Sequence, residues 1–409
     1  MDLESLRCLD AAANRYVLTV DHDDLLYPDA LRVLAWHVRE LGGPSLLYSD
    51  EDKLLGSERR DPYLKPPWDP VLFLNSAYIA HLGALDRRLA LELGCYTDAG
   101  AEGSHDWDSF LRFVLAGHVP RHVPEVLYTW RMHAGSTAYN IDSKSFIHSS
   151  QTHVLSKFLA AHEHGAEYAI AMSPFVDGTP DWWFVRRSRP KRRVVETQVA
   201  PEAPVSSLEP VAREAAADGA VVAISVPGLR PEGGWYLDAL SIFELHPETV
   251  AVAGRVVDGD GRIVSAGEYF GFDGVCGSPD AGADASWSGY HMHLWKQKRV
   301  DAPSTLLCVV DGAFLAETLE ALNGETRSAA LLGGWLGARA AQLGRWVVYS
   351  PYVSAAGAPS RAGWDALQPE EERAALAQAT RWIAEGRSFL SPTLARDPAR
   401  PWLPDVQTG

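Results

Sequence analysis

Residues 16–31 read YVLTVDHDDLLYPDAL, and they join a short apolar segment to three closely spaced carboxylates. The first five of these residues are apolar, aromatic or β-branched and predict a short buried strand. Asp21, Asp23 and Asp24 follow it, and a helix is predicted from Pro28 because proline suits the first turn of a helix. Strand and helix signals go on alternating along the chain. The sequence therefore predicts an α/β protein with acidic side chains at the end of a strand, where open α/β sheets bind ligands.

The spacing of these carboxylates suggests a metal ion. Side chains two residues apart point to the same side of an extended backbone, and clustered carboxylates repel one another unless a cation lies among them. Mg²⁺ and Mn²⁺ prefer oxygen ligands and often share them with phosphate groups. Asp21 and Asp23 therefore predict a metal-bridged diphosphate. In the alternative interpretation, these acids only cap and solvate the N-terminus of the next helix.

Composition narrows the class of protein. The 409-residue chain carries a net charge of -16, which argues against a nucleic-acid partner. Its four cysteines lie far apart without the spacing of a metal site, so they predict reduced thiols, as in the cytoplasm. The sequence shows neither a membrane-spanning apolar run nor the pattern of a signal peptide. We expect a soluble cytoplasmic protein, with a place at the inner face of the cell membrane left open.

Composition also predicts the domain organisation. Six basic residues fall within residues 186–193, next to proline-rich sequence, as is typical of a linker. A solvated linker is the favoured interpretation of this basic run, and peripheral contact with anionic lipid is the alternative. The predicted boundaries are a first domain at 1–175, a linker at 176–210, a second domain at 211–390 and a tail at 391–409.

Two later segments of the first domain carry further candidate site residues. In EGSHDWDSF, Asp106 lies at a predicted helix start, where the helix dipole keeps a carboxylate ionised, as a general base requires. In WRMHAGSTA, His133 lies in a glycine loop after a strand, where an imidazole can join a metal site or contact a phosphate. The alternatives are an ordinary N-terminal cap for Asp106 and an ordinary surface residue for His133, and for His133 alone the second is favoured.

Five motifs in this order resemble family 2 glycosyltransferases of the GT-A fold, over about residues 10–160; they are YVLTVDHDDLLYPDAL, LLYSDEDK, DPYLKPPWDP, GSHDWDSFLR and WRMHAGSTA. Bacterial enzymes that build cell-surface polysaccharides look most similar. The resemblance implies a Rossmann-like mixed sheet flanked by helices. It implies an inverting, metal-dependent enzyme that transfers a sugar from a nucleotide-diphosphate sugar to a glycan or lipid-linked glycan acceptor.

The resemblance also assigns roles to residues. Asp21 and Asp23 would bind Mg²⁺ or Mn²⁺, and through it the diphosphate of the donor, with Asp24 nearby. Asp106 matches the catalytic base of the family, although histidine replaces the glutamate that usually precedes it. His133 matches in position a histidine that completes the metal site in several such enzymes.

Residues 49–70, SDEDKLLGSERRDPYLKPPWDP, are polar and proline-rich and predict a long loop. Long ordered loops in compact domains often carry function. By the same resemblance, the acidic stretch Asp50-Glu51-Asp52 and the loop through Trp68 would face the donor sugar and the acceptor.

The start of the chain departs from the family pattern. Only twenty residues precede Asp21, whereas the family has a nucleotide-binding half-domain there. We therefore expect the chain to begin inside a GT-A domain and to bind its donor weakly.

The second domain weakly repeats the first. Strand, turn and helix signals restart at residues 219–243, GAVVAISVPGLRPEGGWYLDALSIF. Residues 225–227 read Ser-Val-Pro where an Asp-x-Asp is expected, and Gly333 aligns with Asp106. The sequence predicts two tandem GT-A-like domains, the second of them degenerate.

Two rival functions stay open at this point. The first is a non-catalytic glycan-binding or scaffolding protein derived from a glycosyltransferase. The second is a metal-dependent phosphatase or nucleotidyltransferase, which leaves the WRMHAGSTA motif and the repeat unexplained.

Overall fold

The chain forms two compact units, Met1–Trp183 and Phe184–Gly409. Each unit has a mixed sheet flanked by helices. The computed structural model describes residues 3–132, 144–175, 181–322 and 327–397, together with residues 402 and 404.

Unit 1 alternates helices and strands over its described residues. Its helices are α1 (Leu3–Ala11), α2 (Ala30–Glu40), α3 (Pro70–Asn75), α4 (Arg87–Glu92), α5 (His105–Leu115) and α6 (Lys144–Ala161). Its strands are β1 (Tyr16–Leu18), β2 (Leu25–Leu26), β3 (Leu46–Leu55), β4 (Glu58–Tyr63), β5 (Gly83–Asp86), β6 (Arg121–Met132) and β7 (Tyr168–Met172), and β8 (Trp182–Arg186) follows at the boundary.

The sheet of unit 1 has the strand order β1-β5-β3-β6-β2, with β4 paired to β3. The pair β3–β6 is parallel, and the other pairs are antiparallel. Strands β1, β3 and β6 consequently run in the same direction, and their carboxyl ends lie at the same edge. Helix α2 covers this sheet because Ala30, Val33 and Leu34 recur at helical spacing and pack against Leu47 and other core residues.

The prediction of a long loop at residues 49–70 is wrong. Strand β3 continues to Leu55, and β4 returns antiparallel to it, with Glu51 opposite Tyr63. The turn of this hairpin holds Gly56 at a φ of +63°, which glycine adopts readily. The segment forms a hairpin because several of its charged side chains have buried partners, described below, and do not need to face water.

Unit 2 contains more strands in its described part. Its helices are α7 (Glu209–Ala217), α8 (Leu237–Leu245), α9 (Gly312–Ala321), α10 (Leu332–Gln342), α11 (Arg361–Asp365) and α12 (Glu370–Gly386). Its strands are β9 (Val194–Gln198), β10 (Val221–Ser225), β11 (Arg230–Pro231), β12 (Thr249–Asp258), β13 (Ile263–Ala266), β14 (Tyr269–Phe270), β15 (Cys276–Gly277), β16 (Lys298–Val300), β17 (Leu307–Asp311) and β18 (Trp346–Ala358). The segment 176–210, for which the sequence predicts a linker, thus contains β8 and β9.

The sheet of unit 2 repeats the topology of the first sheet. Its path β10-β17-β12-β18-β11 has the same order and the same pairing senses as β1-β5-β3-β6-β2, and β13 pairs with β12 as β4 pairs with β3. Strand β9 adds a parallel neighbour to β10, and α7 connects the two. The internal repeat that the sequence suggests is therefore present in the strand order.

The pairing registers make individual positions of the two sheets equivalent. Tyr16 lies opposite Asp86 in unit 1, and Val221 lies opposite Asp311 in unit 2. Counting forward from these pairs places Val226 at the position of Asp21 and Gly228 at that of Asp23. The equivalent segment therefore begins one residue later than residues 225–227, which the sequence alignment alone assigns to it. Helices α5 and α10 both have 11 residues and place Gly333 at the position of Asp106. Unit 2 thus has no carboxylate at any of these three equivalent positions.

Packing around α10 closes the position that is equivalent to Asp106. A Cβ atom on Gly333 would lie 2.1 Å from the Pro303 carbonyl oxygen and 2.9 Å from the Thr305 amide nitrogen. Both neighbours are main-chain atoms, which cannot turn away as a side chain can. This position in unit 2 therefore has no room for any side chain.

We expect Gly333→Ala to lower the free energy of unfolding by about 3 kcal/mol, because the added methyl group overpacks a buried contact. Gly386→Ala is the matched helical control, since a Cβ there meets no atom within 4 Å. It should be neutral or slightly stabilising, because alanine has the higher helix propensity. Equal stability of the two variants in denaturant unfolding would contradict the closed packing at Gly333.

Candidate functional site

Two carboxylates from distant parts of unit 1 meet around one histidine. Asp21 follows β1, Asp106 lies in the first turn of α5, and His81 lies two residues before β5. The Nε2 atom of His81 is 3.8 Å from Asp21 Oδ2 and 3.9 Å from Asp106 Oδ2. The fold therefore brings together the carboxylates that the sequence assigns to metal binding and to base catalysis.

Sequence reasoning missed His81. Its only local signal is that it is the single histidine in the mostly apolar run YIAHLGAL at residues 78–85. A lone histidine in such a run is usually part of the core. The side chain here is 22% exposed, and it faces two carboxylates instead.

Contacts on three sides hold His81 in place. Its ring stacks on Tyr128, with ring centroids 5.1 Å apart and an angle of 16° between the planes. Its main-chain N–H donates to Glu51 Oε2 at 2.8 Å, and its carbonyl oxygen accepts from Lys65 Nζ. Lys65 Nζ also donates to Glu51 Oε2 at 3.1 Å. One ion pair thus fixes the main chain on both sides of the imidazole.

This ion pair is buried. Lys65 has no exposed side-chain surface, and that of Glu51 is 11% exposed. Burial lowers the pKa of the Lys65 amine, and the Glu51 carboxylate opposes that change. Replacing a buried ion pair by apolar residues of similar volume is often neutral or stabilising, so this pair is weak evidence for fold stability.

The three aspartates after β1 divide into one anchored and two projecting side chains. Asp24 accepts hydrogen bonds from the Tyr128 hydroxyl at 2.5 Å and from the Arg131 main-chain N–H at 2.8 Å. These bonds attach the turn after β1 to β6. The side chains of Asp21 and Asp23 remain 58% and 35% exposed, so they can meet a ligand.

The surroundings of Asp21 are unfavourable to its negative charge. Partial desolvation raises the pKa of its carboxyl above the ordinary value, and the nearby carboxylates of Asp106, Asp24 and Asp23 raise it further. The His81 ring opposes this increase. A cation bound among these carboxylates would relieve their repulsion.

Asp106 and Asp108 have different roles although both begin α5. The Tyr96 hydroxyl donates to Asp106 Oδ1 at 3.0 Å, which leaves Oδ2 facing His81. Asp108 is fully buried, and it pairs with Arg112 Nε at 2.7 Å and with Lys157. The first acid therefore faces the site, and the second stabilises the core.

Asp50 and Asp52, predicted to face the donor, both have partners inside the protein. Asp50 is fully buried and accepts from His122 Nε2 at 2.7 Å and from the Lys65 main-chain N–H at 2.9 Å. Asp52 accepts from the Tyr27 hydroxyl at 2.5 Å and pairs with Arg59 at 3.2 Å. Direct contact of either carboxylate with a donor stays a prediction.

Trp68 packs within unit 1. Its ring lies 5.2 Å from the ring of Phe73 and 6.4 Å from that of Tyr78, measured between centroids. The indole is only half-buried, so part of it remains accessible. Its predicted contact with an acceptor is not tested by this packing.

The donor atoms near Asp21 suit a hard divalent cation. In the described residues, no group of three or more His, Cys, Asp or Glu side chains is arranged to hold a metal ion. Mg²⁺, however, is commonly held by one or two carboxylates, with water and substrate phosphates as the other ligands. Asp21 and Asp23 fit that role, and His133 lies outside the described residues.

Several residues of the basic run at 186–193 form ion pairs within unit 2. Arg186 pairs with Glu244 at 2.8 Å, Arg192 pairs with Asp311, and Arg193 pairs with two acidic residues of the same unit. Arg186, Arg192 and Arg193 thus each have an acidic partner within the same unit. The described helices include none with the length and apolar character that crossing a membrane requires.

Comparison with known proteins gives limited similarity. No protein-family model matches the chain. The chain is 31% identical to the uncharacterized protein y4gI of Sinorhizobium fredii over 192 residues. The matched segment covers 44% of this chain and 21% of that protein. Over 146 residues it is 29% identical to the O-antigen biosynthesis protein RfbC of Myxococcus xanthus, covering 36% of this chain and 11% of RfbC.

Among solved structures, S. aureus TarS 1-349 in complex with UDP-GlcNAc matches 38% of this chain and 51% of that chain. The sequence identity is 18%, and the TM-score of 0.28 is too low to define a shared fold. The chain matches about a fifth of the length of the first relative and about a tenth of the second.

We expect Lys65→Met to lower the free energy of unfolding by about 3–5 kcal/mol, because it leaves Glu51 buried without its cation. Adding Glu51→Val should restore most of the loss, since replacing a whole buried pair by apolar residues is often neutral. Lys191→Met is the control, because Lys191 is exposed and should change stability by no more than about 0.5 kcal/mol. If denaturant unfolding shows Lys65→Met to be as stable as the control, the ion pair is not a strong contact.

Proposed function

We propose that unit 1 is a glycosyltransferase that moves a sugar from a nucleotide-diphosphate sugar to a hydroxyl group of a polysaccharide or lipid-linked glycan. One observation carries the proposal. Asp21 and Asp106 lie 3.8 and 3.9 Å from the same imidazole nitrogen of His81, so the carboxylate proposed for the diphosphate side and the one proposed for the hydroxyl side approach the same group.

Similarity to RfbC supports the choice of acceptor. That protein is named for O-antigen biosynthesis, and O-antigen is a surface polysaccharide. The match covers 11% of RfbC and supports a polysaccharide as the class of acceptor.

In the proposed reaction, Asp106 acts as the general base. Its Oδ2 atom takes the proton from the acceptor hydroxyl while that oxygen forms a bond to the anomeric carbon of the donor sugar. The bond from the anomeric carbon to the diphosphate oxygen breaks, and its electron pair leaves with the nucleoside diphosphate. Attack opposite the leaving group inverts the anomeric configuration. The Tyr96 hydroxyl occupies Oδ1, so it directs Oδ2 towards the incoming hydroxyl.

Asp21 and Asp23 would hold the divalent cation, with His133 as the proposed third protein ligand. When bound, Mg²⁺ or Mn²⁺ neutralises charge on the departing diphosphate. Asp24 positions the other two aspartates, because its hydrogen bonds to Tyr128 and Arg131 fix the turn that carries them.

We propose that unit 2 does not catalyse transfer. Val226, Gly228 and Gly333 stand where unit 1 has its site carboxylates, and the packing around Gly333 leaves no room for a base. This loss favours glycan binding or scaffolding as the function of unit 2. The four free cysteines favour a reducing compartment, so we propose that the protein works in the cytoplasm.

The donor site is tested by calorimetric titration of the full chain with UDP, GDP and dTDP, with and without Mn²⁺. We expect one nucleotide to bind in a Mn²⁺-dependent manner, and Asp23→Ala to weaken that binding at least about 10-fold, as loss of an oxygen ligand should. Asp29→Ala is the control, because Asp29 is exposed at the start of the next helix and pairs only locally with Arg32. Absence of binding by a folded wild-type chain, or unchanged Mn²⁺ dependence in Asp23→Ala, would contradict the proposed site.

The base is tested with the glucose conjugate of the nucleotide that binds, by following slow transfer of the sugar to water. Asp106→Asn should lower the rate about 10²–10⁴-fold, because the amide cannot accept the proton, while nucleotide affinity stays within about 2-fold. Glu102→Gln, an exposed carboxylate shortly before α5, should leave the rate unchanged. A full rate in Asp106→Asn would show that Asp106 is not the base.

A further inference from the structure

The two sheets of this chain share one strand order and can be compared position by position. Unit 1 has the candidate site, and unit 2 has no carboxylate at the equivalent positions. By register, Leu306 takes the position of His81, Val256 that of Glu51, and Ala355 the position of the ring-stacking Tyr128. All three replacements are buried. A sheet with this strand order therefore forms with apolar residues in these places.

The strand topology consequently does not require the polar residues His81, Glu51 and Tyr128 of unit 1. Burying Lys65 and Glu51 removes two charges from water, which costs more than burying apolar residues of similar size. Unit 2 avoids that cost at the Glu51 position with a valine. The physical role of Lys65 and Glu51 must then lie in the group that they position. The main-chain groups that their side chains contact, a carbonyl oxygen and an N–H, both belong to His81.

The imidazole of His81 still has hydrogen-bonding capacity towards the site. Nε2 lies 3.8 and 3.9 Å from the two carboxylates, which is longer than a hydrogen bond. Neither carboxylate therefore forms a hydrogen bond with this nitrogen. Among the residues that the structure describes, Nδ1 is buried without a hydrogen-bond partner. Stacking on Tyr128 and the clamped main chain, and not a bond at the second nitrogen, orient the ring.

We propose that His81 contacts the substrate in the transfer described above, through a hydrogen bond from Nε2 to a hydroxyl group of the reacting sugars, and that Glu51, Lys65 and Tyr128 are its positioning residues. This inference rests on the proposed function. The Nε2 atom lies between the diphosphate side at Asp21 and the proton-accepting side at Asp106, which is where the sugar and the acceptor hydroxyl must meet.

The first test compares His81→Leu with His81→Gln in the full chain. Leucine is the residue that unit 2 has at this position, so His81→Leu should fold with a Tm within about 3 °C of wild type. It should bind the nucleotide and Mn²⁺ within 2-fold of wild type and slow sugar release from the glucose conjugate about 10- to 100-fold. Glutamine offers a hydrogen-bonding amide at similar reach, and His81→Gln should recover part of the rate.

The second test asks whether Glu51 and Lys65 act through His81. The double variant Glu51→Val with Lys65→Met should remain folded and show a similar fall in turnover. Adding His81→Leu to it should cause little further loss, because residues that act as one unit are not additive. A purely structural role would not produce this non-additivity.

The outcomes separate the two proposals. If wild type binds nucleotide with Mn²⁺ and His81→Leu releases sugar at the full rate, this inference fails and the proposed function stands. A large drop in Tm for His81→Leu, or full additivity with the double variant, also overturns the inference. If a folded wild-type chain binds none of UDP, GDP and dTDP, the proposed function fails and this inference fails with it.

Discussion

The parallel pairing of β3 with β6 is the constraint on which the candidate site depends. It gives β3 and β6 the same direction, and the antiparallel pairs β1–β5 and β5–β3 give β1 that direction too. The turn after β1 and the end of β6 therefore meet at one edge of the sheet. Tyr128 of β6 then reaches both the aspartate turn and His81. A site built from a turn, a strand and a loop requires this shared direction, because its side chains are far apart in the chain.

The site also shows how a protein uses buried charge without gaining stability from it. Lys65 and Glu51 bring two charges into the sheet, and the register shows that unit 2 has valine at the Glu51 position. Both charged groups contact the main chain of His81 as well as each other. The most economical physical account is that rigidity at one imidazole, and not fold stability, offsets the desolvation cost.

Much of the fold can be predicted from local sequence. The strand before Asp21, the helices α2 and α5, and the repeat in the second half follow from periodicity and glycine or proline signals. The β3–β4 hairpin cannot, because its charged side chains are buried against partners such as His122 and Tyr27 that only the tertiary structure supplies. His81 is missed for the same reason: a lone histidine in an apolar run has no local sign that two distant carboxylates will approach it.

Unit 2 keeps the strand order of unit 1, although its position equivalent to Asp106 has no room for a side chain. A site that had only lost its carboxylates would still have space for them, and a single substitution would reopen it. In unit 2 the main chain at Pro303 and Thr305 occupies the space that a side chain at Gly333 would need. At this position unit 2 is therefore packed as a solid core.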